Sequence, residues 1–190
     1  MLLISQNMSN YDISLPKNAV YRINLAWCNS LEELKNILQK HPEQEIFLDL
    51  PVGRIKPPNN KYSLEKMIPI IRDNQQIKYF AISNVESKTD LEVFQNSLPD
   101  QINIIPKIES PNAVNNIKEI TDSLKNNKKI IMLDHDDLFS AIIRNNGKKD
   151  DFQKYITKLI DFCEKNEISL LRTVGVVFSD DEKRVTQYEK

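Results

Sequence analysis

Glycine is scarce in this chain: Gly53, Gly147 and Gly175 are the only three in 190 residues. They stand alone, so there is no GxGxxG or GxxxxGK loop to wrap a phosphate in backbone amides, and the commonest nucleotide-binding folds are excluded. A phosphate group would have to be met by side chains, a cation or helix N-termini. Cysteine is as sparse. Cys28 and Cys163 lie far apart and outside any CxxC or Cys/His cluster, which points to reduced thiols in a cytoplasmic protein. Charge of one sign is lacking too, with 26 Lys and Arg against 27 Asp and Glu. The two signs are interleaved as on a solvated surface, and nothing steers the chain to nucleic acid or an anionic membrane. No apolar run approaches the ~20 residues of a membrane span, and the opening residues 1–5 lack the basic n-region of a signal peptide.

What the sequence does have is alternation. Short apolar runs of strand character are expected at Leu2–Ser5, Val20–Ala26, Ile46–Leu50, Tyr79–Ser83, Ile102–Glu109, Lys129–Leu133 and Ser169–Val177. They read as continuous rather than alternating apolar segments, as in a parallel sheet covered by helices. Between them lie helical segments with recognisable starts. Ser30 with Glu33 forms a capping box before Leu31–Gln39, and Ser87 with Asp90 forms another before Leu91–Asn96. Ser63 opens Leu64–Asn74, where Pro69 predicts a kink or a later start. Ser110 followed by Pro111 reads as N-cap and first helical residue of a helix to about Leu124. Asp136 or Asp137 begins a helix that closes at Gly147, and Asp150–Asn166 carries an apolar stripe of Phe152, Tyr155, Ile156, Leu159, Ile160 and Cys163. About seven strands and six helices indicate a compact TIM-type (β/α)8 barrel with its eighth strand not evident, over residues 1–178, with a charged tail at 179–190.

The chemistry gathers where strands end. In the run from Ile104 to Glu109, Lys107 and Glu109 are two apart and share a strand face. The next strand ends in Asp134-His135-Asp136-Asp137 and delivers Asp137 beside them. Two carboxylates on neighbouring parallel strands with a lysine one pleat below make a layout for holding a hard cation against an anionic substrate. A buried structural ion pair is the plain alternative for Lys107 and Glu109, a helix cap for Asp137. Polar residues recur at other strand ends: Arg22 and Asn24, Asp49, and Thr173. Trp27-Cys28 reads as packing, with a substrate contact as the alternative.

Taken in order, these segments resemble pyruvate kinase. Val20–Ala26 with the Ser-Leu-Glu-Glu helix start is similar to its VARLNFSHG segment, and Ile46–Lys56 to its LLDLPGPKIR segment. Pro106–Ile120 is similar to its KIENxEGVxNxDEI stretch, Met132–Leu138 to its MVARGDL, and Ser169–Thr173 falls where VICAT would. More distantly the chain resembles the HpcH/HpaI aldolase and citrate lyase group of phosphoenolpyruvate- and pyruvate-binding barrels. The resemblance implies that Glu109 and Asp137 ligate Mg2+ or Mn2+, that Lys107 neutralises charge in the transition state, and that Arg22 meets a phosphate. It implies that Thr173 contacts substrate, that Asp136 stands close to the substrate carboxylate, and that Asn24 and Asp49 fall where the family holds K+. The chain lacks the family's lid domain, which closes the site around nucleotide, and its C-terminal domain.

Three functions are compatible with this reading. One is a Mg-dependent enzyme that binds phosphoenolpyruvate, pyruvate or another 2-oxo acid and stabilises its enolate. Another is a 2-oxo-acid aldolase or lyase, which needs no nucleotide. The third is a degenerate barrel that binds a partner subunit, or a second copy through an exposed strand edge.

Overall fold

The computed structural model describes residues 1–5, 18–53 and 62–172. It is an α/β structure in which every recorded strand pairing is parallel. In chain order the elements are β1 (Leu2–Ser5), β2 (Ala19–Asn24), a 3-10 turn (Leu25–Trp27), α1 (Leu31–Lys40), β3 (Glu45–Leu50), α2 (Leu64–Asp73), β4 (Ile77–Ile82), α3 (Thr89–Ser97) and β5 (Asn103–Ile108). They continue with α4 (Pro111–Asn115), α5 (Ile117–Ser123), β6 (Ile130–Leu133), α6 (His135–Arg144), α7 (Asp151–Lys165) and β7 (Ser169–Arg172). Seven strands are present among the described residues, one short of the eight in a (β/α)8 barrel. The proposed tail at 179–190 and the last part of the seventh expected strand lie outside the described residues, as does Thr173.

The chain divides into two compact units. One comprises Met1–Ser83 and Leu91–Ile105; the other comprises Asn84–Asp90 and Pro106–Lys190. In the first, β1, β2, β3 and β4 pair successively, with Arg22 opposite Phe47 and Asn24 opposite Asp49. The strand residues Tyr21, Ile23, Phe47, Leu48 and Phe80 are wholly buried, as are Leu34 of α1 and Met67 of α2. This is why β3 lacks the apolar–polar alternation of a half-exposed strand, while β2 alternates only at Arg22 and Asn24. In the second unit, β6 pairs with β5 through Lys107–Met132 and Ile108–Leu133, and with β7 through Ile130–Ser169 to Leu133–Arg172. Its core includes Ile108, Ile131, Leu133, Leu138 and Leu159.

Side-chain caps mark three helix starts, those of α1, α4 and α6. Ser30 Oγ accepts the Glu33 N–H at 3.1 Å, and Ser110 Oγ accepts the Ala113 N–H at 3.1 Å, each satisfying an amide that the helix cannot. Asp90 accepts the N–H groups of Glu86 and Ser87 at 2.9 and 2.8 Å. In α2 the sequence leaves the start open, and after Ser110 it misses a break. α2 begins at Leu64 and runs through Pro69 to Asp73, so the later start does not occur. The helix after Ser110 is two short ones divided at Asn116, whose φ of −92° and ψ of 10° break the ladder. At the end of α6 the Gly147 N–H donates to the Ile142 carbonyl at 2.9 Å. A Cβ there would lie 2.7 Å from Ile142 Cγ2, so the close approach needs glycine. Trp27 is 58% exposed, which corrects its reading as packing: Leu25 and Ala26 fill the interior positions of the same turn and leave the indole outward.

Candidate metal centre

β5 runs apolar to Ile108 and then carries Glu109, which the strand's hydrophobic neighbours bury to 4% exposure. Lys107, two residues earlier, is also buried, and its Nζ lies 2.8 Å from Glu109 Oε1. β6 stops at Leu133, and Asp134 follows directly, donating its backbone N–H to the Ile108 carbonyl at 3.4 Å. Asp134 is also the N-cap of α6, where its Oδ1 accepts the Asp137 N–H at 3.2 Å. That cap folds Asp137 back over Asp134, since N-cap and third helical residue share a turn. Asp134 Oδ2 stands 3.8 Å from Lys107 Nζ. The result is one carboxylate oxygen each from Glu109, Asp134 and Asp137, all within 4.8 Å of one another.

The arrangement suits an oxygen-loving cation. Ligands at about 2.1 to 2.6 Å on opposite sides of Mg2+ or Ca2+ are separated by about 4.2 to 5.2 Å, and adjacent ligands by less. Among the described residues the cluster sets three carboxylates beside one ammonium. Burial pushes the Glu109 carboxyl above its ordinary range of 4.5, while the Lys107 ammonium and the Asn84 N–H beside it pull back and Asp134 adds to the rise. The Asn84 N–H donates to Glu109 Oε2 at 2.7 Å. Asn84 holds a left-handed φ of 57°, a conformation that asparagine tolerates better than most residues.

Of the residues singled out from the sequence, Lys107, Glu109 and Asp137 come together. Asp136 lies in the first turn of α6 and is exposed, outside the three-carboxylate group. In the first unit the Arg22 guanidinium donates to Asp49, which is 1% exposed. Asn24 Oδ1 accepts the Ala26 N–H at 3.0 Å and caps the 3-10 turn. The sequence allows Asp134, His135 and Asp136 as an extension of a metal site but reads more readily there as a charged loop. The signal for Asp134 was present in the D-x-x-D spacing of Asp134 and Asp137, which places two carboxylates at one helix start. Burial pushes the Cys163 thiol up to about 12, away from the thiolate form that reacts. Among the described residues no helix is long and apolar enough to cross a membrane.

No known family's sequence profile matches the chain, and no curated protein does. Among solved structures it is similar to RipC from Yersinia pestis, with 15% sequence identity and a TM-score of 0.62, over 94% of this chain and 77% of that one. At such identity the likeness concerns the fold alone. It corrects the resemblance to pyruvate kinase, and the more distant one to the HpcH/HpaI aldolase and citrate lyase group is not sustained by any profile either. The physical reason lies in the matched blocks. Short apolar strands that end in charged residues, followed by capped helices, are what any parallel α/β chain needs, so sparse identity within them marks the architecture and not a family.

Proposed function

We propose that the protein is a divalent-cation-dependent enzyme that binds a small 2-oxo acid and stabilises its enolate. The observation that carries this reading is the meeting of Glu109, Asp134 and Asp137 around one point, with the Lys107 ammonium alongside. Three monodentate carboxylates leave an octahedral Mg2+ or Mn2+ with open positions. A 2-oxo acid offers two oxygens at chelating distance, its carboxylate and its carbonyl. Glu109, Asp134 and Asp137 would hold the cation, which when bound would supply positive charge for the oxygen of an enolate formed by loss of a proton or cleavage of a bond at the neighbouring carbon; such preorganised charge is the largest common source of catalysis. Lys107 supplies a second positive charge at the same place.

Making or breaking a carbon–carbon bond next to the carbonyl fits this chain better than phosphoryl transfer, since the sequence holds no glycine-rich phosphate loop. The accompanying fold reading is a (β/α)8-type barrel lacking one strand, in which catalytic groups sit at the C-terminal strand ends. Glu109 and Asp134 stand directly after β5 and β6. Cys28 and Cys163 are buried and not joined in a disulfide, which suits the reducing cytoplasm.

The test is thermal unfolding with Mg2+ or Mn2+ and oxalate, a mimic of the pyruvate enolate. Saturation a hundredfold above Kd stabilises by about 2.7 kcal/mol, or roughly 5 to 10 °C for a chain of this size. Asp137→Asn should remove the shift. If cation and oxalate together leave the melting temperature unchanged, the reading is wrong. Given binding, release of pyruvate from a 4-hydroxy-2-oxo acid then identifies carbon–carbon cleavage, and phosphoryl transfer to ADP would replace it.

A further inference from the structure

Glu109 uses its two oxygens differently. Oε2 receives the Asn84 N–H at 2.7 Å. Oε1 is buried and has no hydrogen-bond partner among the described residues, with Lys107 Nζ 2.8 Å away as an ion pair. That oxygen is the one Glu109 has to offer a cation, and an ammonium stands beside it. The same ammonium faces Asp134 Oδ2 at 3.8 Å, so Nζ borders two of the three carboxylates of the cluster. A divalent ion needs those oxygens at about 2.0 to 2.6 Å, and it cannot share their inner face with a second positive charge. Lys107 has a long flexible stem that lets its head move without moving the strand.

We infer that Lys107 is the resident cation of this centre, displaced from Glu109 when a divalent ion binds and thereby released to the anionic substrate. This rests on the cation reading proposed above and adds an order of binding to it. Before the metal arrives, the ammonium is neutralised by Glu109 and Asp134, and a 2-oxo acid meets only surplus negative charge. Afterwards the metal holds the carboxylates, and the lysine is available to the incoming anion. Cation and anion therefore bind cooperatively, with the metal first.

Calorimetric titration with Mn2+ and with oxalate tests this on the full chain. In the wild-type protein oxalate alone should not bind measurably, and it should tighten Mn2+ by about tenfold or more. Lys107→Gln and Lys107→Met should bind Mn2+ alone about tenfold tighter than wild type and lose most of the tightening by oxalate. Circular dichroism establishes that each variant is folded. If the folded variants bind Mn2+ no tighter than wild type, the exchange is overturned while the cation site stands. If neither variant folds, the wild type decides: oxalate binding that is strong without Mn2+ and indifferent to it overturns the exchange. If no form of the protein binds Mn2+, the cation reading itself falls.

Discussion

Each of the two units carries buried charge just where a strand ends, but the charges are counted differently. Among the described residues of the first, Arg22 of β2 meets Asp49 of β3, one guanidinium beside one carboxylate. Among those of the second, Lys107 meets Glu109, Asp134 and, through their cluster, Asp137, one ammonium beside three carboxylates. A balanced pair can be electrically complete within the protein and needs nothing further. An unbalanced group stores a demand for positive charge, and in a buried place that demand is costly unless a cation meets it. The comparison separates a charged site that serves the fold from one that serves a ligand, although both grow from the same sequence habit of ending a strand in polar residues.

The largest effect expected from breaking this contrast is on stability, in the first unit. Asp49→Ala leaves a partly buried guanidinium without its carboxylate, and it should cost about 3 kcal/mol by denaturant unfolding while Mn2+ affinity stays as it was. Asp137→Asn is the mirror image: unfolding free energy within about 1 kcal/mol of wild type, and Mn2+ binding lost. Should Asp49→Ala abolish cation binding with little loss of stability, the assignment of the two sites is reversed.

A smaller effect sharpens the same contrast through pH. Burial, the leading influence on Glu109, raises its carboxyl above 4.5, so the folded cation-free protein holds that proton more firmly than the unfolded chain does. The stability this contributes is fully present below the ordinary glutamate range and is lost as pH rises through the raised value. Cation binding runs the other way, because the ligand must first lose its proton. The melting temperature without Mn2+ should therefore decline from pH 4.5 upward, and the shift produced by Mn2+ should grow over the same interval. Glu109→Gln should flatten both curves. A cation-free melting curve indifferent to pH in wild type would mean that Glu109 is not held protonated by its surroundings.

Much of the scaffold was legible because its signals are local. Ser30 and Ser110 are caps whose side chains can satisfy only nearby amides, so three or four residues are enough to read them. Strand positions followed from apolar runs too short for helices. What was not legible depends on where the chain stops. The break at Asn116 has no proline or glycine to announce it, since Ile117 and Ile120 continue the apolar pattern while the backbone does not. Asp134 was passed over as a ligand because α6 was expected to start at Asp136 or Asp137; starting at His135 makes Asp134 the cap and turns its carboxylate toward Glu109. The family resemblance failed for the opposite reason, being built from local features that all parallel α/β chains share.

The smallest expected effect lies beside the cluster, at Ser110. Its hydroxyl has two duties: Oγ accepts the Ala113 N–H at 3.1 Å and donates to Glu86 Oε1 at 2.6 Å. Asn116 Nδ2 in turn donates to the Glu86 carbonyl at 2.9 Å, tying the 84–90 segment to the start of α5. Ser110→Ala removes both hydroxyl bonds and should cost about 1 kcal/mol. Ser110→Asp restores a good cap but sets a carboxylate against Glu86, so it should recover little of that loss near neutral pH and more of it once acid protonates the pair. If Ser110→Asp is instead as stable as wild type at neutral pH, the cap alone matters and Glu86 is not held by this hydroxyl. Because Asn84 of the same segment pins Glu109 Oε2, a loosened segment should also weaken Mn2+ binding modestly. Asp49, in the other unit, has no such influence to lose, and that keeps the two kinds of charged site experimentally distinct.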